Sequence, residues 1–220
     1  MAHYLSNTAG LKRVAIIYDT NNKAYTESWV GVFRQHFTEQ DGHITHLEPY
    51  QSGEDVSFFA VIERVPVEQI DVLIIVAGAL DTAMLCQQVR KKGMGIPIAA
   101  SEWAATEKLV DMGGQAVEGI VVNQFFNRAS KDPNYLRFRD AYVKRFNEEP
   151  GFASVNAYDA ANLLIDAIQK QSENTSLKAA ILDSPNFMGI QGMVRIDKFG
   201  DADRKTFLTT IRQGQFIPLE

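Results

Sequence analysis

The sequence is poor in the residues that carry covalent and metal chemistry. Cys86 is the only cysteine in 220 residues, which excludes an internal disulfide and a cysteine-built metal cage. It falls inside an apolar helical pattern, the setting of a buried structural thiol. There are four histidines, His3, His36, His43 and His46. His43 and His46 lie three apart on a predicted strand, where side chains alternate between faces, so a shared metal would need a bulge there. No GxxxxGK[ST] or GxGxxG loop follows any predicted strand, which removes the glycine-rich phosphate cradles. Ser101 lacks the GxSxG setting of a nucleophile elbow, and no histidine follows it in a later loop. Catalytic constellations and cofactor signatures are therefore absent, and neither an enzyme nor a cofactor is expected.

Long apolar runs and basic excess are missing as well. No stretch approaches the roughly 18 apolar residues of a membrane-spanning helix, and Met1–Gly10 has neither the basic start nor the apolar core of a secretory signal. The net charge is −5 and the sequence pI near 5.4, which gives no support for a nucleic acid or an anionic membrane as partner. What remains, 45% hydrophobic and 22% charged, is the composition of an ordinary globular protein.

The chain is organised around Leu11–Phe33. Val14, Ala15, Ile16 and Ile17 form a continuous apolar run closed by Asp19, the pattern of a strand covered on both faces. Trp29, Val30, Phe33 and Phe37 then recur at helical spacing. Met1–Gly10 before this unit is polar and small, a lead-in expected to have little structure of its own, although Tyr4 and Leu5 could pack on something. The alternation repeats: a strand around Ile44 and Leu47, an apolar helix from Phe58 to Val65, a strand over Val72–Val76, a helix carrying Met84, Leu85, Cys86 and Val89 inward, a strand over Ile96–Ala100, a helix over Ala104–Met112, and a strand in GIVVNQFF. This predicts an α/β doubly wound parallel sheet.

Beyond Asn127 the grammar changes. Two long helices, Asn134–Asn147 and Ser154–Gln171, follow with no strand between them, then a short helix at Leu177–Leu182 and an irregular β segment, FMGIQGMVRIDKFGD. A hairpin around Gln213 and Gly214 ends the chain. Asn127 is the expected boundary, after a lead-in at 1–10 and an α/β unit at 11–126, and the terminal hairpin is a candidate to rejoin the first sheet.

Ligands of doubly wound sheets bind beyond the carboxyl ends of the strands. Glu102 and Trp103 follow the fourth strand directly; Glu102 is either a helix N-terminal carboxylate or a ligand anchor. Tyr25 is either a packed aromatic at a helix start or a cleft residue. Gly78 and Ala79 allow close backbone approach, or form a plain turn. Asp19 is a turn cap or a contact. Together these positions would rim one face.

Over Leu11–Phe216, KRVAIIYD with AYTESW, YQSGEDVSFFAVI, IDVLIIVAGALDTAMLCQQVRKKG, the SEW turn, GGQAVEGIVV, DPNYLRFRDAYVKRF, ASVNAYDAANLLIDAI and FMGIQGMVRIDKFGD occur in an order that resembles the type I periplasmic binding proteins of the branched-chain amino acid receptor group. The resemblance implies a two-lobed solute-binding protein of an ABC uptake system, periplasmic or extracellular, that closes on its ligand by hinge motion, with a transporter permease as partner of the full-length protein. It implies that Leu11–Phe126 is the second lobe, that the helical stretch 127–200 completes a first lobe whose N-terminal half does not appear in this stretch, that the strands of 201–220 return to the second lobe, and that the helices of 127–200 present apolar faces to that missing half or to a second copy. It also implies that Glu102 pairs with the ligand's α-ammonium, that Tyr25 lines the cleft, and that Gly78, Ala79 and Leu80 form a second cleft loop lacking an expected aromatic. The other readings are the sensing domain of a signalling or transcriptional regulator, for which no basic helix-turn-helix is visible, and an enzyme on a doubly wound scaffold, for which no convergent acid, base or phosphate loop is visible.

Overall fold

The computed structural model describes residues 1–219 and resolves the chain into two units, Met1–Asn123 with Leu208–Glu220, and Gln124–Phe207. In the first unit the lead-in is helical, contrary to expectation. A helical turn at Tyr4–Thr8 buries Leu5 and Ser6, and the Ser6 hydroxyl donates to the Gln40 carbonyl at 2.6 Å. This short segment orders because Ala2 and Leu5 join the core on that side of the sheet and the Ser6 and Asn7 side chains both donate to Gln40.

Strand β1, Arg13–Asp19, buries Val14 through Ile17 completely. Helix α1, Lys23–Thr38, turns Val30, Phe33 and Phe37 inward. Strand β2, His43–Tyr50, pairs parallel to β1 with a bulge that skips Thr45, so Val14 faces Ile44 but Ala15 faces His46. His46 meets Glu48 rather than His43, and among the described residues no cluster is arranged to hold a metal. Helix α2, Phe58–Glu63, is capped by Ser57 and ends earlier than the apolar pattern suggests. Then follow β3, Val72–Val76, wholly buried, α3, Ala79–Lys91, and β4, Ile98–Ala100.

The helix expected over Ala104–Met112 is broken. A 3-10 turn, Glu102–Ala104, is followed by a gap at Ala105 and Thr106, and α4 runs from Glu107 to Gly113. β5, Val121–Gln124, is shorter than its apolar run.

These strands form one seven-stranded, mainly parallel sheet with order β10-β9-β5-β4-β3-β1-β2, where β9, Phe207–Arg212, and β10, Gln215–Pro218, are antiparallel partners. Gln213 and Gly214 both take positive φ, as a two-residue hairpin turn requires, and the Glu118 carboxylate accepts from both of their amides at 2.9 and 2.8 Å. One core layer packs α2, α3 and α4 on one face of the sheet; the other packs α1 and the N-terminal turn on the opposite face.

The second unit holds α5, Pro133–Phe146, α6, Phe152–Lys170, and α7, Leu177–Asp183. It also holds a three-stranded antiparallel sheet of β6, Asn186–Gly189, β7, Gly192–Ile196, and β8, Ala202–Arg204. β8 was not visible in the sequence, because ADR has no strand pattern. Its anchor is electrostatic: Arg204 donates to Asp159 at 2.9 Å and to Asn156 at 2.6 Å from α6. The same Asp159 accepts from the Ile190 amide at 2.9 Å, tying the β6–β7 turn to the helix. α6 leaves Leu164, Ile165 and Ile168 exposed.

Candidate functional site

Strand order places the switch in winding direction between β1 and β3: from β1 the chain goes outward to β2 through α1, then crosses back to β3 through α2. In sheets of this order the crevice at the carboxyl ends of those two strands is where ligands sit. Three loops converge there. The loop after β1 leads into α1 and carries Tyr25; the loop after β3 carries Gly78; the turn after β4 carries Glu102 and Trp103.

Each is fixed locally. Thr26, fully buried, donates its hydroxyl to the Asp19 carbonyl at 2.7 Å and so pins the start of α1 to the end of β1. The Ser101 amide continues the ladder to the Ile75 carbonyl at 3.1 Å, and the following 3-10 turn closes through Ala104 N to Ser101 O at 3.1 Å, which projects Glu102 from the strand end. The Tyr25 hydroxyl donates to Glu102 Oε1 at 2.9 Å, and the Trp29 indole N–H donates to Oε2 at 3.1 Å. Both carboxylate oxygens are therefore held, each by a different aromatic donor from one helix face, and each keeps a further lone pair.

Burial first, and then the Glu102 charge, push the Tyr25 phenol well above the ordinary tyrosine range; the Ser101 side chain and Trp103 backbone pull it partway back. A hollow of about 440 Å³ opens beside Glu102 along α1, with Tyr25, Ser28, Trp29, Phe33 and His36 among its lining residues.

Trp103 is partly buried, edge-on to Tyr25 with ring centroids 5.5 Å apart, and lies over Gly78. Tyr25, Glu102, Trp103 and Gly78 thus come together. Ala79 and Leu80 form the first turn of α3, with Ala79 packed on the core and Leu80 exposed. Asp19 is buried and turned away into the loop, where its Oδ1 accepts from the Asn21 and Ser52 amides at 3.0 and 3.1 Å. Trp29 escaped notice in the sequence. Its helical spacing with Phe33 and Phe37 reads as core, and its ring does stack on Phe33, while the polar edge of the same ring reaches Glu102 across 73 residues.

Beside these loops lies a second carboxylate. Asp81, in the first turn of α3, accepts from the buried Tyr50 hydroxyl at 2.8 Å and is raised by burial.

A family model described as periplasmic binding protein matches residues 1–215. No curated protein matches the sequence. Among solved structures, a leucine binding protein from Thermotoga maritima is 26% identical with a TM-score of 0.88, over 100% of this chain and 63% of its own length. A branched-chain amino acid transporter substrate binding protein from Streptococcus pneumoniae, in complex with isoleucine, is 20% identical with a TM-score of 0.84 over 99% of this chain and 63% of its own. A solute binding protein of an ABC transporter from R. palustris, in complex with benzoate, is 16% identical with a TM-score of 0.82 over 99% and 60%. The chain thus spans under two thirds of the length of each.

Proposed function

The chain belongs to the periplasmic binding protein family, and on that premise we propose that its first unit is the ligand-recognising part of an extracytoplasmic solute-binding protein whose solute carries an ammonium group. One observation carries the proposal: Tyr25 and Trp29 hold the two oxygens of Glu102, so the carboxylate is fixed in place and its remaining lone pairs are aimed by the protein. A carboxylate held by neutral donors attracts a cation that can itself donate hydrogen bonds and repels an anion. Structures of this fold have been solved with isoleucine and with benzoate. Glu102 favours the amino acid class over the aromatic acid class, because an anion beside it would remain unpaired.

No bond is made or broken in this function. Selection of the bound state by differential affinity is the mechanism, and delivery to an ABC permease outside the cytoplasm is its proposed context. The test is titration calorimetry of the 220-residue chain with leucine, isoleucine and benzoate. Binding of the amino acids but not benzoate, lost in Glu102→Gln, supports the role; binding unaffected by Glu102→Gln contradicts it.

A further inference from the structure

We propose that the second unit carries a binding site of its own, between α6 and the three-stranded sheet, for a neutral apolar compound with a carbonyl oxygen. Both walls follow from the sequence. Strand register sets Phe187 of β6 opposite Val194 of β7, and Val194 opposite Arg204 of β8, so these three side chains form one row on one face of the sheet; Ile196 and Ala202 form the next row of that face. The other wall is a stripe of α6, where Asn156, Asp159, Ala160 and Leu163 recur at i, i+3, i+4 and i+7. Between them, with Phe125 also in the lining, lies a hollow of about 320 Å³. That is the small end of the range for small-molecule sites. Alanine stands in the lining on both walls, and Ala160 and Ala202 are both exposed, so the hollow opens to solvent there.

The polar end is a guanidinium whose charge is already met. Arg204 donates to Asp159 Oδ2 at 2.9 Å and to Asn156 Oδ1 at 2.6 Å, and the Ile190 amide donates to Asp159 Oδ1 at 2.9 Å. Each Asp159 oxygen thus accepts already. Arg204 Nε and the Asn156 side-chain N–H groups have no hydrogen-bond partner among the described residues. Unspent donors at one end of an apolar hollow fit an acceptor oxygen on an apolar body.

The ion pair decides the charge of that compound. An anion would set a second negative charge beside Asp159 against a single guanidinium, and would lose its water among Phe125, Leu163, Phe187, Val194 and Ile196. An ammonium would bring donors to donors. A carbonyl asks only for the N–H groups that are unspent.

None of these residues belongs to the Glu102 site, so the two can be tested apart. The experiment is calorimetry of the 220-residue chain with 2-octanone, 2-hexanone and octanoate, with carbon-13 methyl spectra to locate binding. 2-Octanone should bind and shift the methyl signals of Val194 and Ile196. 2-Hexanone, two methylenes shorter, should bind about fifteen-fold more weakly. Octanoate should bind about ten-fold more weakly than 2-octanone or worse. Ala160→Phe fills the hollow and should abolish binding, while Glu102→Gln should leave it unchanged. If Ala160→Phe does not fold, Ala202→Phe closes the hollow from the sheet side. Absence of 2-octanone binding, binding kept in every folded filling variant, or binding lost in Glu102→Gln overturns the site. Octanoate binding as tightly as 2-octanone overturns the class of ligand.

Discussion

The Tyr25 hydroxyl donates to Glu102 at 2.9 Å across 77 residues of sequence, joining the first turn of α1 to the turn after β4. Because the phenol is raised first by burial and then by the Glu102 charge, neutralising that charge should lower it. Glu102→Gln is expected to bring the Tyr25 ionisation back toward the ordinary value of about 10. A titration of the tyrosine ring carbons by NMR checks this; an unchanged Tyr25 would show that burial alone sets its ionisation.

Trp29→Phe keeps a ring to stack on Phe33 and removes the pyrrole part of the indole together with the N–H that reaches Glu102. The expected loss is about 1 kcal/mol of stability, the net worth of one hydrogen bond. Urea unfolding followed by circular dichroism measures it, and a loss several times larger would mean the indole acts chiefly through packing.

Alkaline stability follows from two phenols. Tyr25 and Tyr50 are both raised, each by burial first, with the Glu102 charge next for Tyr25 and the Asp81 charge next for Tyr50. The unfolded chain releases these protons near pH 10 while the fold still holds them. The stability they contribute is therefore complete below about pH 10 and declines as pH rises toward the folded values. Denaturation midpoints across that window should fall with pH, and Tyr50→Phe should flatten the slope.

In the second unit Asp159 accepts from the Ile190 amide and from Arg204, whose side chain is only 15% exposed. Asp159→Ala leaves that guanidinium without its carboxylate and should cost about 3 kcal/mol. Gly189→Ala should destabilise the same place by another route, since a Cβ there would lie 2.9 Å from Asp159 Oδ2. Thermal unfolding of the two variants measures both effects. A neutral result for Asp159→Ala would show that Asn156 suffices for Arg204.

The sequence carried the sheet and part of the candidate site, for identifiable reasons. Val14–Ile17 and Val72–Val76 are apolar without alternation because both faces of those strands are covered. Position marked Glu102 as a carboxylate directly after a short apolar strand but left open whether it starts a helix or anchors a ligand, and the anchoring role came only with the resemblance. Trp29 was not, because a periodic pattern reports which face of a helix is buried and says nothing of where the polar edge of a buried ring points. The break at Ala105 and Thr106 and the bulge at Thr45 were hidden for a related reason: each follows from how loops and ladders fit neighbouring strands rather than from local preference. β8 is held by Arg204 pairing with α6, a long-range contact without a local signature.

The central claim is that Glu102, held by Trp29 and Tyr25, receives an ammonium and refuses an anion. The chain has two tryptophans, so an amide–nitrogen correlation spectrum shows two indole signals, and one of them reports the N–H bonded to Glu102. Titrating leucine should shift the Trp29 indole signal in the wild type and leave it still in Glu102→Gln, while benzoate should move it in neither. A Trp29 signal that responds to benzoate and ignores leucine would contradict the account.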